Sequence, residues 1–278
     1  MKHIPPPLAG VIGSPVAHSL SPRLHGHWLS RYDIAGHYLA MDVNAADLPQ
    51  ILAAMPKMGF KGGNVTIPHK EAVLRLADEV SERAAAIGAA NTLVFGDDGR
   101  LLADNTDGIG FLENLRAGAP GWSAAHGPAA VLGAGGAARA IVHALVDAGA
   151  PEIRLANRTM ARAEALAEAF GPRVVVHDWT RLERMLDGAA TLVNTTSLGM
   201  SGHPSLDFSR DALTPGMVVS DIVYAPLETE LLRQARTAGA VAVDGLGMLI
   251  HQAVPGFERW FGRRPEVDPA VRDVLLAP

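Results

Sequence analysis

The amino-acid sequence predicts an α/β protein whose second half is a doubly wound parallel sheet, and three observations carry that prediction. Short apolar runs alternate with stretches whose apolar residues recur at helical spacing. One of these runs, 129–132, leads straight into a glycine-rich turn, GAGGAARA at 133–140, that opens a helix-like stretch. From there the alternation of run and helix repeats, with gaps long enough for crossover helices.

Taken in order, residues 8–13 read as a short buried strand, 21–30 as a helix, 37–42 as a strand and 47–58 as a helix stopped at Gly59. Residues 62–66 read as a strand, after which Pro68 imposes an extended entry into a further helix. Residues 90–95 and 100–103 pair as a hairpin turned through Asp98 and Gly99. Lys70 therefore falls just past a strand end, and Asp107 just ahead of a helix-like run at 108–115. The second half gives strands at 129–132, 152–156, 173–176, 190–194, 217–222 and 240–243, with helices at 136–148 and 160–170. Residues 245–261 read as a closing helix, and no internal repeat or low-complexity tract stands out.

A chain of 278 residues, 48% hydrophobic and 19% charged, is globular and has room for one continuous fold or for two domains. Its formal net charge of −5, with no long basic cluster, offers nothing to a phosphate backbone or an anionic membrane. The absence of cysteine removes disulfides and thiolate zinc sites. The first residues, MKHIPPPLAG, place three prolines where a signal peptide needs its apolar core, and no apolar run approaches the ~18 residues of a membrane span. A soluble, cytoplasmic protein with neither nucleic acid nor membrane as partner is expected. Eleven histidines invite a metal reading and do not support it. His25 and His27, two apart on a presumed helix, point away from each other with no acid cluster beside them, and His18 and His69 read as polar neighbours of site residues. No metal is expected.

The glycine turn carries a definite chemistry, because a strand running through such a turn into a helix N-terminus presents backbone N–H groups to a dinucleotide pyrophosphate. Gly133 allows the tight turn, Gly135 the close approach of backbone to phosphate, and Ala138 fills the third fingerprint position. At the end of the next strand, where NAD binders place an acid for the ribose 2′-hydroxyl, stand Asn157, Arg158 and Thr159, with Arg162 one helical turn beyond. No carboxylate is there to repel a 2′-phosphate, and a guanidinium can stack on adenine and pair with that phosphate, so NADP is expected as cofactor. The alternative is that Arg158 and Arg162 are solvated charges at a helix start.

A carbonyl-reducing site needs a cation where charge builds on the ketone oxygen, and a lysine both stabilises that charge and can supply the proton. Lys70 and Asp107 suit the task as a pair, the carboxylate holding the lysine charged and aimed, with either as formal acid or base; otherwise they are a surface lysine and a helix cap. Ser19 and Ser21, two apart on an extended segment, turn both hydroxyls one way toward a substrate carboxylate. Ser21, ahead of Pro22, is equally placed to cap a helix.

Six segments stand in a recognisable order: GSPVAHSLSPRLH (13–25), NVTIPHK (64–70), GAANTL (88–93), DNTDGIG (104–110), GAGGAARA followed by NRT (157–159), and DGLGMLIHQA (244–253). Together they resemble the shikimate dehydrogenase family from Gly13 to Gln252. One departure is Gly26, where the family usually has Asn after the histidine of its first motif. The resemblance implies a Rossmann-type nucleotide domain over 108–245 and a discontinuous α/β substrate domain over 1–107, completed by 246–278, with a cleft between them. It makes Lys70 and Asp107 catalytic and carries Ser19, Ser21, Thr66, Asn91, Tyr224 and Gln252 onto the hydroxyls and carboxylate of a small polyol acid. For the cofactor it implies Gly133, Ala134, Gly135, Gly136, Ala137, Asn157, Arg158, Thr159, Arg162, Ile222 and Gly245, with Met248 backing the nicotinamide one helical turn from Gln252. Thr195, Ser197 and Met200 of NTTSLGM (194–200) join them, although a polar strand-end loop needs no such role.

The activity so implied is the reversible NADPH-dependent reduction of 3-dehydroshikimate to shikimate in aromatic amino-acid biosynthesis, by a monomer or a homodimer. One rival is a quinate/shikimate dehydrogenase of the same family with looser substrate and cofactor choice; Arg158 speaks against it. A rival of another class is a catalytically silent nucleotide-sensing protein, against which the presence of both Lys70 and Asp107 speaks.

Overall fold

The computed structural model describes residues 5–277. The chain folds into two compact units, the first running to Asp107 and resuming at Leu249, the second spanning Gly108–Met248.

The first unit opens with strand β1 (Leu8–Gly13), helix α1 (Ser21–Arg31), strand β2 (His37–Asp42) and helix α2 (Leu48–Ala54). Pro56 lacks the N–H that a further α-turn needs, so the chain tightens into a 3-10 turn at Met55–Met58 and closes on Gly59 in the left-handed region, φ 90°. Strand β3 (Gly62–Val65) follows. The helix expected after Pro68 is only a 3-10 turn, Ala72–Arg75. It stops there because the Asp78 N–H is drawn to Leu101 O, which aligns the short strand β4 (Glu79–Val80) at the sheet edge. Helix α3 (Glu82–Ile87), capped by the Ser81 hydroxyl on the Ala84 N–H, leads to the hairpin of β5 (Thr92–Phe95) and β6 (Leu101–Asp104). The mixed sheet runs β2-β1-β3-β5-β6-β4. Its core gathers Ile12, Leu48, Met55, Val65, Leu93 and Leu101.

Helix α4 (Asp107–Gly118) carries the chain into the second unit. There β7 (Ala129–Leu132), α5 (Gly136–Asp147), β8 (Ile153–Ala156), α6 (Met160–Phe170), β9 (Val174–His177), α7 (Leu182–Leu186), β10 (Thr191–Asn194), β11 (Val218–Asp221), α8 (Glu230–Thr237) and β12 (Val241–Val243) follow. All pairings are parallel, in the order β12-β11-β10-β7-β8-β9. Counted within the unit this is 3-2-1-4-5-6 read from the other edge, the doubly wound order with its switch point between β7 and β10. One apolar layer packs around Phe111, Val131, Ile141 and Leu145 and another around Leu132, Met185, Val219 and Leu232, so the central strands β7, β10 and β11 are covered on both faces. Helix α9 (Leu246–Phe261) then runs without a break across the division at Met248 and Leu249, three residues later than the expected boundary, and α10 (Pro269–Leu276) ends the first unit. Among the described residues no helix is long and apolar enough to cross a membrane.

Candidate active site

In the first unit the polar chemistry converges on Asp107, the opening residue of α4. Its Oδ2 accepts from Lys70 Nζ at 2.5 Å and its Oδ1 from Asn91 Nδ2 at 2.7 Å. The two side chains of the ion pair are 15% and 6% exposed. Lys70 is fixed through its backbone, because its carbonyl accepts from the Ala90 N–H at 2.8 Å, and the preceding His69 donates from Nε2 to Val43 O at 2.6 Å. Asn91 has only one possible orientation: its Oδ1 accepts from the Thr106 N–H and the Thr92 hydroxyl, both at 2.8 Å, which turns Nδ2 toward Asp107 and toward Gln252 Oε1 at 3.1 Å. Gln252 is held in turn by Thr106, whose hydroxyl donates to its carbonyl, and by its own Nε2 donating to Leu249 O. Both carboxylate oxygens are thus engaged. An ammonium has three N–H bonds, so Lys70, having given one to Asp107, keeps two for a ligand oxygen.

Beneath this cluster Asp104 anchors the turn. Arg83 meets it with bonds of 2.8 Å to each oxygen, Ser81 and the Asn105 N–H donate to it, and Arg259 of α9 stands 3.2 Å away. Burial pushes this carboxyl up, but the hydrogen bonds and the Arg83 charge outweigh it and hold the group below the usual range. Asn105 passes the constraint on, donating to Ala89 O and accepting from the Asp107 N–H.

The remaining expected substrate residues fall in different places. Ser19 and Ser21 do not lie on an extended segment: Leu20 is helical (φ −79°, ψ −6°), Ser21 is the first residue of α1, and Ser19 Oγ accepts from the Ser21 N–H at 3.2 Å. The turn arises because Pro22 pre-sets a helix start; the Ser19 hydroxyl keeps its proton to donate, while the buried Ser21 hydroxyl is bonded to Tyr38. Thr66 follows β3 with its hydroxyl unpartnered among the described residues. Tyr224 belongs to the second unit, half-buried after β11. Two buried residues that sequence reasoning passed over complete the first unit's network: Tyr38 donates to Asn64 Oδ1 at 2.6 Å, and Asn64 donates to Asn91 O at 3.1 Å. Their only signal was Asn64's place in the NVTIPHK segment.

In the second unit the expected cofactor residues collect at the carboxyl ends of the strands. Gly133 has φ 108°, and a Cβ there would stand 2.5 Å from Thr195 Oγ1, so only glycine lets the β10 loop close on the turn. Thr195 donates to Leu132 O from both its backbone N–H and its hydroxyl. The first helical bond of α5 runs from the Arg139 N–H to Gly135 O, which leaves the earlier N–H groups of that turn without intrahelical partners. A Cβ on Gly135 would meet nothing within 4 Å, so the face above these N–H groups is open to a phosphate. Ala138 is fully buried against the sheet, as the third fingerprint position requires. Asn157 Nδ2 donates to Thr159 O and shapes the turn that exposes Arg158 and Arg162, neither of which has a partner among the described residues. Ile222 and Gly245 come together, a Cβ on Gly245 falling 2.3 Å from Ile222 O. Ser197 and Met200 are exposed on the β10 loop, and Met248 is buried. Glycine turn, open N–H face and arginine pair together fit a phosphorylated dinucleotide. Among the described residues no group of histidine, aspartate and glutamate side chains is able to hold a metal.

A 3-2-1-4-5-6 parallel sheet with a glycine turn at its switch point, carried in one chain with a buried lysine–carboxylate pair, defines a dinucleotide-binding α/β oxidoreductase. Comparison with known proteins narrows the class. Residues 11–93 match the shikimate dehydrogenase substrate binding domain, 122–201 shikimate / quinate 5-dehydrogenase, and 245–276 the shikimate 5'-dehydrogenase C-terminal domain. A shikimate dehydrogenase (NADP(+)) of Cereibacter sphaeroides is 64% identical over 271 residues, covering 98% of this chain and 97% of its own. The shikimate 5-dehydrogenase of Thermus thermophilus, solved with NADP(H) and shikimate, is 40% identical with a TM-score of 0.85 over 96% of this chain and 98% of that one. The quinate dehydrogenase of Corynebacterium glutamicum, solved with NAD, is 36% identical with a TM-score of 0.90 over 98% and 99%. The chain belongs to the shikimate dehydrogenase family.

Proposed function

We propose that this protein is an NADP-dependent shikimate dehydrogenase that interconverts 3-dehydroshikimate and shikimate, a cytoplasmic step of aromatic amino-acid biosynthesis. The observation that carries the reading is the Lys70–Asp107 pair, clamped by Asn91 and Gln252 with two ammonium N–H bonds left over. When bound, the nicotinamide supplies the hydride for reduction and accepts it in oxidation. The chain's own residues do the rest. Lys70 hydrogen-bonds the substrate oxygen, stabilises the charge that builds on it, and with Asp107 delivers the single proton that converts ketone to alcohol. In oxidation the same pair removes that proton. Asn91, itself oriented by Gln252, holds the carboxylate in place, and both together with Thr66 and Tyr224 hold the ring hydroxyls. Ser19, just ahead of α1, and Ser21, its first residue, donate to the ring carboxylate. Gly133, Gly135 and the opening turn of α5 hold the pyrophosphate, and Arg158 with Arg162 holds the 2′-phosphate.

The test is absorbance at the reduced-nicotinamide band with the purified protein, shikimate or quinate being paired in turn with NADP or NAD. Turnover is expected with shikimate and NADP. Turnover confined to quinate and NAD overturns the assignment of substrate and cofactor, and none with any pair overturns the enzyme reading.

A further inference from the structure

In the second unit one buried carboxylate lies outside the chemistry described so far. Asp221, the last residue of β11, is fully buried and has no cationic hydrogen-bond partner. Its Oδ1 accepts from Asn194 Nδ2 at 2.9 Å and the Val223 N–H at 3.1 Å, and its Oδ2 from the Thr229 hydroxyl at 2.7 Å. Those donors belong to the two segments that leave β10 and β11. Asn194, itself fully buried, ends β10; its Oδ1 accepts from the Thr196 N–H and hydroxyl, and its Nδ2 also donates to Leu198 O. Thr229 caps α8, and a Cβ on the left-handed Gly199 (φ 88°) would stand 3.5 Å from Thr229 Cβ. The loops are tied to each other as well, the Ser201 N–H donating to Ala225 O at 2.8 Å.

We infer that Asp221 is the positioning residue for the cofactor side of the second unit: its ionised carboxylate gathers the Thr195–Met200 loop and the Ile222–Tyr224 loop into the arrangement that binds NADP. The inference rests on the proposed role of those loops in cofactor binding. Replacing Oδ2 by an N–H donor, or protonating it, takes away the acceptor that the Thr229 hydroxyl uses and the charge that strengthens all three bonds, and the common anchor of the loops is weakened. Burial raises the Asp221 carboxyl to about 6 despite these bonds, so the charge is present at neutral pH and lost in mild acid. On the segment between β10 and β11, His203, Asp207, Arg210 and Asp211 are exposed. Glu228 and Glu230, which flank Thr229, pair with Arg236 and Arg233, and Asp244, just past β12, accepts from the Leu246 N–H.

The test is isothermal titration calorimetry of NADP against the full-length protein between pH 5 and 8, beside steady-state kinetics with shikimate. Asp221→Asn is expected to weaken NADP binding roughly 10-fold at neutral pH, raising KM for NADP while kcat at saturating cofactor moves less than about 3-fold. The wild-type affinity should fall as pH drops through about 6, and the variant's should not follow it. Thr229→Val should weaken binding in the same direction and Thr229→Ser restore it, which covers the case in which Asp221→Asn does not fold. Unchanged NADP affinity in folded Asp221→Asn, or in Thr229→Val, overturns the inference; so does a variant whose pH profile matches the wild type. Because binding is read without turnover, a protein that binds NADP but oxidises no shikimate sinks the proposed function and leaves this inference tested.

Discussion

Replacing Lys70 by Met probes the ion pair at the centre of the proposed chemistry. At 2.5 Å and an effective dielectric constant of ~20, the attraction between Lys70 and Asp107 is about 7 kcal/mol in gross terms. Most of that is offset by the desolvation of two largely buried groups. Removing the lysine alone leaves Asp107 buried with Asn91 as its remaining side-chain donor, a loss of about 3–5 kcal/mol of stability by the usual cost of breaking a buried pair. Lys70→Met should also lower kcat by roughly 10²- to 10⁴-fold, since it deletes both the charge stabilisation and the proton, while NADP affinity hardly moves. Asp107→Asn should cost rate too. The informative variant is the double one. Pairing Met with Asn removes the unpaired charge, so its stability should recover above that of Lys70→Met, and its kcat loss should be smaller than the product of the single losses. Urea denaturation and initial rates at the reduced-nicotinamide band measure the two halves of the cycle. Near-normal kcat in Lys70→Met, or rate losses that multiply, would refute a lysine and carboxylate acting as one unit.

Other perturbations follow from single features of the structure. Ser19→Ala and Ser21→Ala should each weaken shikimate binding by about 1.5–3 kcal/mol with NADP binding unchanged; normal binding by both variants would make the serines helix-start residues and nothing more. Arg158→Leu should raise KM for NADP roughly 10- to 150-fold, leave that for NAD nearly unchanged and flatten the salt dependence of NADP binding; equal losses for both cofactors would mean that the arginine supports its loop. His25 is fully buried among Trp28, Tyr38, Phe257 and Trp260 with neither nitrogen hydrogen-bonded, and burial lowers its pKa from 6.5 to about 3. The unfolded chain binds the extra proton first, so stability should fall between about pH 6.5 and 3 by ~1.4 kcal/mol per pH unit at most. His25→Phe should remove that acid sensitivity and raise Tm; an unchanged pH–stability curve would show that another group carries it.

The strands were the most legible part of the sequence, because each is an apolar run bounded by glycine, proline or a polar cluster, and β1, β2 and β7 fall at their expected residues. What escaped notice was short and polar. Helices α3, α8 and α10 begin at Ser81, Thr229 and Asp268, whose side chains accept from the first-turn N–H groups, yet each is so brief that its apolar period barely repeats. Strand β4 has two residues and exists only by pairing with β6, an interaction across the chain that local pattern cannot show. The same limit governs the site. Lys70 and Asp107 are 37 residues apart, Asn91 and Gln252 161 apart, and only the resemblance of whole segments brought them onto one page before the structure brought them within hydrogen-bond reach. Asp221 and Asn194 had no such role and read as ordinary strand ends.

Cofactor choice is where backbone and side chain part company. An NAD-bound quinate dehydrogenase and an NADP(H)-bound shikimate dehydrogenase both overlay this chain along nearly its whole length, so the course of the backbone does not sort one cofactor from the other. Gly133 explains why: its positive φ and its contact with Thr195 are demands of the turn itself, made by any dinucleotide with a pyrophosphate to place. The segment after β8 is under no such demand. Asn157 holds the turn through Thr159 O, and Arg158 and Arg162 extend from it exposed and, among the described residues, unpaired, so exchanging them disturbs no packing. A residue that the fold does not need is free to answer to the ligand alone, and a guanidinium without a protein partner presents its full fork of donors to a phosphate. On the proposed reading, selectivity resides in side chains that contribute little to stability, and Arg158→Leu should then change cofactor preference while leaving the unfolding transition in place.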